Sequence, residues 1–259
     1  MLDGLLTDLR VAIRSLLRDR SVATTAIVTL GLAMSIGVAV IVVVNAYLFK
    51  ALPYPGATRL YSVRYAPPGE PAPGGMQKLD WTALDDVIEH PIAWDLDVFY
   101  LIGGGTQAEA APGAWVTPGF VEGLGIRPAV GRGFDRAAFV PNSPQVTLIS
   151  HRLWQTRFGG DPDIVGREFN AYVSDRPEEA ETFVIIGVLP ADFWHVNTYT
   201  EILAPLRVPT YPYMVRLREG VTPGAASDRI SALVRAGSPG LAPDWKVDLV
   251  STHDAYVSR

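Results

Sequence analysis

The sequence predicts an α+β protein in which one N-terminal transmembrane helix is followed by a two-lobed domain. Three observations support this fold class. Residues 21–49 are mostly apolar and contain no charged side chain. A strand–helix–strand pattern follows this run, and a second one lies at the C-terminal end of the sequence. Residues 103–205, between these patterns, are rich in short strands and turns, so helices and strands are segregated along the chain as in α+β folds.

The composition excludes several classes of function. The 259 residues carry a formal net charge of −5. A nucleic-acid-binding domain usually presents a basic surface, so we expect no nucleic-acid partner. Cysteine is absent, which excludes disulfides, zinc–cysteine sites and a thiol nucleophile. The length is sufficient for one or two domains with a core of their own.

Residues 1–20 have the apolar spacing of an amphipathic helix. The apolar positions are Leu2, Leu5, Leu6, Leu9, Ile13, Leu16 and Leu17, and the opposite face holds Asp8, Arg14 and Arg18. We interpret this segment as an interfacial helix on the cytoplasmic leaflet of the membrane. The alternative is a solvated extension of the helix that follows it.

Residues 21–49 are long enough to cross a bilayer, since a transmembrane helix needs about 20 apolar residues. A cleaved signal peptide is the alternative, but its apolar region is only about 7–15 residues long and ends at a small-residue cleavage site. This run is longer and leads into Tyr47, Leu48 and Phe49, so we predict an uncleaved anchor. The sequence contains no second run of this length, which predicts a single span.

The flanking charges predict the orientation of this span. Basic residues are frequent before it and sparser after it, at Arg10, Arg14, Arg18 and Arg20 against Lys50 and Arg59. The positive-inside rule then places the N-terminus in the cytoplasm and residues 50–259 outside the inner membrane. Pro53 and Pro55 end the long helix.

One lobe is predicted to be split in sequence, with residues 56–102 and 206–259 forming one β-α-β layer. In its first part, residues 59–66 and 92–102 have strand patterns. Between these strands we predict a short helix over residues 80–90. Asp80 is its expected N-cap, and Pro91 is expected to end it.

The second part of this lobe repeats the pattern. Residues 213–219 and 245–251 are predicted strands. Between them, Thr222 caps a helix that has Pro223 at its first position and ends at Gly237.

The other lobe is predicted to be the inserted, β-rich segment of residues 103–205. Within it, residues 151–169 crowd glycine, arginine, aspartate and tryptophan together, which suggests a phosphate-binding loop. In such loops the glycines precede a helix, whereas here they follow one. We therefore predict a helix that begins after the N-cap Ser150 and ends at Gly159, with Trp154 and Phe158 sharing its buried face.

A second capped turn is predicted immediately after this helix. Asp161 is the expected cap, and Pro162 takes the first position. Ile164 and Val165 are expected to pack inward, and Gly166 is expected to end the turn before the next strand. These assignments leave no active-site loop in this segment.

The sequence contains no motif for catalysis, cofactor binding or metal binding, so we predict that the protein is not an enzyme. Its histidines lack metal-ligand spacing and are expected to be structural or exposed: His90, His151, His195 and His253. The acidic residues near the predicted helix are expected to form a solvated face rather than a catalytic pair: Asp80, Asp85, Asp86 and Glu89. A turn is favoured for residues 103–105, three glycines that no helix follows.

Three collinear segments resemble the MacB-like periplasmic core domain. They are VTPGFVEGLGIRPAVGRGF (116–134), VTLISHRLWQTRFGGDPDIVGREF (146–169) and FVIIGVLPADF (183–193). The resemblance is to permeases of the MacB/FtsX superfamily of ABC transporters, especially the large duplicated orphan permease group. Residues 45–63 resemble the exit of that group's first helix, and residues 216–234 resemble its closing helix.

The resemblance implies a first transmembrane helix, a periplasmic domain with one split β-α-β lobe and one mostly β lobe, and three further helices. It implies a permease that transmits ATP-driven motion to its periplasmic lobes, for efflux or export, and that does no chemistry itself. The implied partners are an ABC ATPase in trans, the lipid bilayer and a second permease in a homo- or heterodimer. No cofactor is implied.

The sequence departs from the family pattern in two places. It ends at Arg259, where the further helices would begin, so we expect an N-terminal fragment, a split permease or a stand-alone relic without autonomous transport. Residues 174–181 lengthen a hairpin that is tight in the family, and we favour a solvated loop over a contact surface there. A second hypothesis stays open, namely a single-pass periplasmic binding or interaction module that does not transport.

Overall fold

The computed structural model describes residues 20–44, 54–66, 81–103, 108–174, 176–193, 199–208, 210–238, 241 and 244–257. The chain divides into two compact units, Met1–Ala51 and Leu52–Arg259. The predicted interfacial helix over residues 1–20 lies outside the described residues except for Arg20. The predicted cap Asp80 also lies outside them.

The described residues form five α-helices and eleven β-strands. The helices are α1 (Arg20–Val44), α2 (Phe120–Gly123), α3 (His151–Phe158), α4 (Pro223–Gly237) and α5 (Thr252–Val257). The strands are β1 (Leu60–Ala66), β2 (Ile88–Ile92), β3 (Trp94–Ile102), β4 (Glu109–Val116), β5 (Val130–Gly131), β6 (Gln145–Ile149), β7 (Glu168–Val173), β8 (Glu181–Val188), β9 (Ile202–Pro205), β10 (Met214–Leu217) and β11 (Lys246–Ser251).

The first unit is described through α1, which has no charged side chain after Arg20. Hydroxyl groups inside the helix donate to carbonyls one turn earlier, as from Thr25 to Ser21 and from Thr29 to Thr25, so they are satisfied without solvent. In the described part of the chain, no helix combines the length and the apolar character needed to cross a membrane. The span over residues 21–49 is therefore not confirmed and stays a prediction.

The smaller sheet of the second unit has the strand order β11-β1-β10-β2, and all its neighbours are antiparallel. Two of its strands precede the larger sheet in sequence and two follow it, as a split layer requires. α4 covers one face of this sheet. Thr222 accepts the Ala225 amide at the start of α4, and Pro223 is its first residue, which confirms the predicted cap.

The predicted helix over residues 80–90 is wrong beyond its first turn. A short 3-10 turn occupies Trp81–Leu84, and β2 begins at Ile88. Leu84 and Ile88 are both buried, one from the turn and the other from the strand. Pro91 does not end a helix but lies within β2, opposite Val215. β2 is an edge strand of the described sheet, where proline is tolerated.

The predicted strand over residues 92–102 divides at Ala93. Ile92 closes β2 in the smaller sheet, whereas β3 pairs with β4 and β7 in the larger one. The change of sheet therefore comes at Ala93 and not after Ile102. The wider division into two lobes stays a prediction.

The larger sheet contains seven strands in the order β5-β8-β6-β9-β4-β3-β7. β7 also pairs with β8, so all of these strands except β5 close into a ring. The pairs β4–β9 and β6–β8 are parallel. Inward side chains from alternate strand positions fill the ring, and they include Phe99, Leu101, Ala111, Ile149, Phe169, Phe183, Ile185 and Ile202.

α3 confirms the local prediction for residues 151–158. The Ser150 hydroxyl accepts the Leu153 amide at 3.0 Å. Gly159 takes the left-handed conformation, with φ 64, which few residues other than glycine adopt readily. Phe158 is buried in the ring cluster, and Trp154 packs against that cluster.

The turn after α3 is confirmed in part. Asp161 accepts the Asp163 amide at 2.9 Å, and Ile164 is fully buried. Val165, which was predicted to pack inward, is instead 46% exposed. The reason is geometric, because adjacent residues of a tight turn point in different directions and only Ile164 faces the ring.

Candidate functional site

Most residues that the sequence singled out have ordinary structural partners. Glu89 pairs with Arg59 at 2.7 Å, and Asp86 pairs with Arg229 at 3.4 Å. The Asp85 carbonyl accepts a hydrogen bond from Arg218. These residues lie on a half-exposed surface and form no carboxylate pair, so they are not brought together for acid–base chemistry.

The histidines are likewise separated. His90 lies in β2 and is half-buried. His151 begins α3 and packs edge-on against Trp154 at 5.4 Å. His195 lies outside the described residues, as does the side chain of His253. Within the described ranges, no group of three or more His, Asp or Glu side chains could hold a metal ion.

Two further candidates have structural partners. The Gly103 carbonyl accepts from Arg157 at 2.9 Å, and Gly104 and Gly105 lie outside the described residues. Ser150 is engaged as the cap of α3, as described above.

The strongest candidate site is a junction around Arg216, a buried cation in β10. Its side chain lies on the same face of the smaller sheet as that of Met214, because side chains two apart in a strand share a face. This face packs against the larger sheet. Arg216 is 4% exposed, which is unusual for an arginine.

The Arg216 guanidinium donates hydrogen bonds to three backbone carbonyls. Its Nε atom lies 2.6 Å from the Gly123 oxygen, its Nη1 atom 3.1 Å from the Gly56 oxygen and its Nη2 atom 2.9 Å from the Pro55 oxygen. Pro55 and Gly56 belong to what we call the lead-in segment, residues 54–59, which precedes β1. One side chain thus joins the lead-in segment, α2 and the smaller sheet.

Close backbone approach makes this arrangement possible at Gly123. A Cβ atom at this position would lie 2.8 Å from Ile92 Cδ1 and 2.9 Å from His90 Cβ, closer than real Cβ contacts. Glycine therefore lets α2 pack directly against β2, which brings the Gly123 carbonyl within reach of Arg216.

An apolar cluster lies at the same junction. One hydrophobic cluster takes side chains from the lead-in segment, from the smaller sheet and from the larger sheet, including Tyr54, Leu60, Ile92, Val116, Phe120, Leu124, Leu148, Leu203 and Met214. The two sheets and the lead-in segment therefore share one core, and the Arg216 side chain is buried at the same junction.

Burial lowers the pKa of Arg216, and the nearby Arg59 guanidinium acts in the same direction. Glu89 opposes this shift. Arginine keeps its charge in proteins, so the junction contains a buried cation whose contacts are carbonyl oxygens. Such a group is stabilised only while all three acceptors stay in place.

A second polar feature is a cleft of about 200 Å³ beside the N-terminus of α3. Glu201 and Arg152 line it and form an ion pair at 2.7 Å, in which the Glu201 side chain is 8% exposed and that of Arg152 is 64% exposed. Burial raises the pKa of Glu201, whereas Arg152 opposes the increase. Ser150 and His151 also line the cleft but have the structural partners given above.

Neither Arg216 nor Glu201 was predicted from the sequence as a site residue. A signal was present for Arg216, since a charged residue in the otherwise apolar strand Met214–Leu217 is unusual. No comparable signal marks Glu201, because a single glutamate before a strand is ordinary.

Solved structures share this fold. A domain of a permease protein from Porphyromonas gingivalis is 16% identical, with a TM-score of 0.51 over 80% of this chain and 100% of that domain. The periplasmic region of MacB from Actinobacillus actinomycetemcomitans is 12% identical, with a TM-score of 0.51 over 77% of this chain and 91% of that one.

The extracellular domain of the noncanonic ABC-type transporter YknZ from Gram-positive bacteria is 15% identical, with a TM-score of 0.52 over 73% of this chain and 98% of that domain. No curated protein matches the sequence. The fold is therefore that of the extracytoplasmic domains of ABC-type permeases.

The family profile described as "MacB-like periplasmic core domain" matches residues 21–233. This chain belongs to that family, which confirms the resemblance seen in the sequence. Domains of this family belong to permeases of ABC transporters, which work with ATPase partners.

Proposed function

We propose that this chain is a membrane-anchored permease subunit, or the N-terminal part of one, in a MacB/FtsX-type ABC transporter. In this proposal an ATPase acting in trans moves the permease helices, and the periplasmic domain moves in response, so that ATP-driven motion is coupled to efflux or export. The permease itself does no chemistry. Family membership supports the permease class. The coupling of ATP-driven motion to efflux or export is the further part of the proposal.

The junction around Arg216 is the observation that carries the proposal. A domain that follows the motion of a helix needs a stiff connection between the segment leaving that helix and both of its sheets. The guanidinium holds the lead-in segment and α2 together through a planar fork of donors, and such a fork tolerates little displacement of its acceptors. The shared apolar core adds contact area to the same connection.

We place the membrane anchor in residues 21–49, with the N-terminus in the cytoplasm and residues 50–259 on the periplasmic side of a bacterial inner membrane. The arginines before the uncharged run support this orientation. The large apolar side chains of α1 are exposed in the described unit, with Ile27 at 69% and Ile41 at 68%, which supports an apolar surrounding for this helix. Residues 1–20 then lie on the inner leaflet, and a second permease completes a dimer.

Co-purification tests the proposal. The full chain is expressed with a candidate ABC ATPase and with a polypeptide that carries the other helices of a MacB-type permease, and it is extracted in mild detergent. We expect the ATPase to co-purify, and we expect ATP to change hydrogen exchange at residues 54–59. An ATPase whose Walker lysine is replaced is the matched control, since it should still bind but should abolish the ATP-dependent change.

Two outcomes contradict the proposal. If no ATPase associates with the chain, a transporter role is excluded. If the ATPase associates but ATP leaves hydrogen exchange of the lead-in segment unchanged, the coupling is wrong.

A further inference from the structure

A small cavity lies beside the junction around Arg216. Its volume is about 150 Å³, and its walls come from the lead-in segment, from the loop after α2 and from the turn after β8. Pockets for drug-sized ligands measure about 300–1,000 Å³, so this cavity has room for a single side chain or a small metabolite. We call it the junction cavity.

The loop after α2 is held by a Schellman motif. The Ile126 amide donates to the Val121 carbonyl and the Gly125 amide donates to the Glu122 carbonyl, both at 2.9 Å. Gly125 takes the left-handed conformation that this motif requires, with φ 68. The motif fixes the backbone at Ile126 and leads directly into Arg127, and both of these residues line the cavity.

The other two walls are also held in place. Pro55 packs over Gly125, where a Cβ atom would lie 3.2 Å from the Pro55 ring, and the Pro55 carbonyl accepts from Arg216. In the third wall, the Phe193 amide donates to the Pro190 carbonyl at 3.0 Å, which closes the turn after β8. Three hydrogen-bonded segments therefore surround a preformed cavity, as is typical of small-molecule sites.

The interior of the junction cavity is apolar. Tyr54 and Leu124 are buried beside it. Ile126 and Phe193 line it as well, and they pack against the same hydrophobic cluster. Only two of the lining side chains carry a charge. The interior therefore favours an uncharged, apolar group.

The two charged side chains have opposite signs. Arg127 and Asp192 both line the cavity, and both are exposed. Within the described part of the chain, neither forms an ion pair with the other or with a third side chain. A guanidinium binds a carboxylate through paired hydrogen bonds, and a carboxylate binds an ammonium group. One ligand that carries both charges would therefore satisfy both residues.

We propose that the junction cavity binds a free α-amino acid with an apolar side chain. The side chain would fill the apolar interior, the α-carboxylate would bind Arg127 and the α-ammonium group would bind Asp192. A simple amine or acid would leave one of these residues without a partner, and a peptide carries its terminal charges on different residues. Charge complementarity therefore selects the zwitterion. This inference goes beyond the proposed transport and does not depend on it, because binding requires no ATPase.

Equilibrium dialysis of the full chain in detergent measures this binding directly. The probes are radiolabelled L-leucine and L-phenylalanine. The competitors are the matching amine, which lacks the carboxylate, the matching acid, which lacks the ammonium group, and tri-leucine. We expect at least one of the amino acids to bind, and its amine and acid to compete about tenfold more weakly or not at all. Binding of neither amino acid overturns the proposal, as does a competitor that binds equally well.

Charge variants locate the site. Arg127→Gln should weaken binding of the amino acid by about tenfold or more and leave competition by the amine unchanged. Asp192→Asn should weaken the amino acid similarly and leave competition by the acid unchanged. Arg136→Gln and Asp163→Asn are the matched controls, since both side chains are exposed and lie outside the cavity. Equal losses in the variants and the controls overturn the assignment.

A filled cavity should exclude the ligand. Ile126→Phe enlarges a half-buried lining side chain and should abolish binding, while the melting temperature shows that the chain stays folded. Full binding by this variant overturns the proposed location. Because Arg127 and Asp192 are exposed, their variants decide the question if Ile126→Phe lowers the melting temperature.

Hydrogen exchange shows whether the bound amino acid contacts the lead-in segment. The Ala57 and Arg59 amides donate to the carbonyls of Tyr54 and Gly56. A ligand that packs against Tyr54 and Pro55 should stabilise this turn, so exchange at residues 57–59 should slow on binding. Binding that leaves this exchange unchanged overturns the placement of the ligand in the junction cavity.

Discussion

Glu201 is a buried carboxylic acid whose pKa is shifted by its surroundings. Burial raises its pKa above the ordinary glutamate value of 4.5, Glu109 adds to the increase, and the Arg152 guanidinium opposes it. A raised pKa means that the folded chain holds the proton more tightly than the unfolded chain. The folded state is then favoured by protonation, so this group's contribution to stability is present below the ordinary value and is lost as pH rises through the raised pKa.

Glu201→Gln should remove this pH dependence. We expect the difference in melting temperature between the wild type and the variant to change as pH rises through this window, with the wild type losing stability relative to the variant. Thermal unfolding of the full chain in detergent across a pH series measures this difference, in which the contributions of the other carboxylates cancel.

Arg152, the cation beside Glu201, allows a second test of the direction of this pKa shift. Arg152→Gln removes the group that opposes the increase and should therefore extend the loss of stability to higher pH. A wild-type profile that coincides with that of Glu201→Gln across the window would refute the assignment.

Among the helices and strands, α3 shows how much a single N-cap contributes to the stability of the fold. The Ser150 hydroxyl satisfies the Leu153 amide, and loss of an N-cap costs about 0.5–2 kcal/mol. Ser150→Ala should therefore lower the melting temperature by a few degrees. Thr156→Ala is the matched control, because the exposed Thr156 hydroxyl only donates to the Arg152 carbonyl one turn earlier. An equal loss in both variants would contradict the capping role.

The same helix shows why part of the fold could be predicted from the sequence. Ser150 and Gly159 are local signals, and the structure uses both as predicted. The failed helix over residues 80–90 was predicted with Asp80 as its cap and Pro91 as its end, but Leu84 and Ile88 face one core from a turn and from a strand. Whether these residues form a helix or a turn followed by a strand depends on the pairing of β2 with β10, a contact distant in sequence.

The candidate site was less accessible to sequence analysis than the fold. Residue alternation in β10 places Arg216 on the face opposite Val215, but the sequence does not say that a second sheet covers this face. The acceptors of Arg216 are backbone carbonyls, which any residue carries, so no side-chain pattern marks Pro55, Gly56 and Gly123 as its partners. Hydrogen bonds to backbone carbonyls therefore cannot be recognised from a pattern of side chains in the sequence.

For the whole molecule, the junction determines whether the lead-in segment and the two sheets behave as one body. Arg216→Met keeps much of the side-chain length but leaves the buried Gly123 carbonyl without its donor, a loss that costs about 1–3 kcal/mol. It also removes the hydrogen bonds that hold the exposed Pro55 and Gly56 carbonyls. We therefore expect local opening at residues 54–59 and around Gly123 to become easier. Hydrogen exchange there should accelerate by about tenfold or more.

Arg207→Met is the matched control for this prediction. The Arg207 guanidinium also donates to backbone carbonyls, those of Ala138 at 3.1 Å and Pro144 at 2.9 Å, and burial likewise lowers its pKa. Its acceptors lie in the segment before β6, away from the lead-in segment. Arg207→Met should therefore accelerate exchange around residues 136–144 only, and Arg216→Met should accelerate it at both distant ends of the junction at once. If Arg216→Met changed exchange near Gly123 but left residues 54–59 protected, the apolar cluster alone would hold the lead-in segment, and the guanidinium would not be the connection.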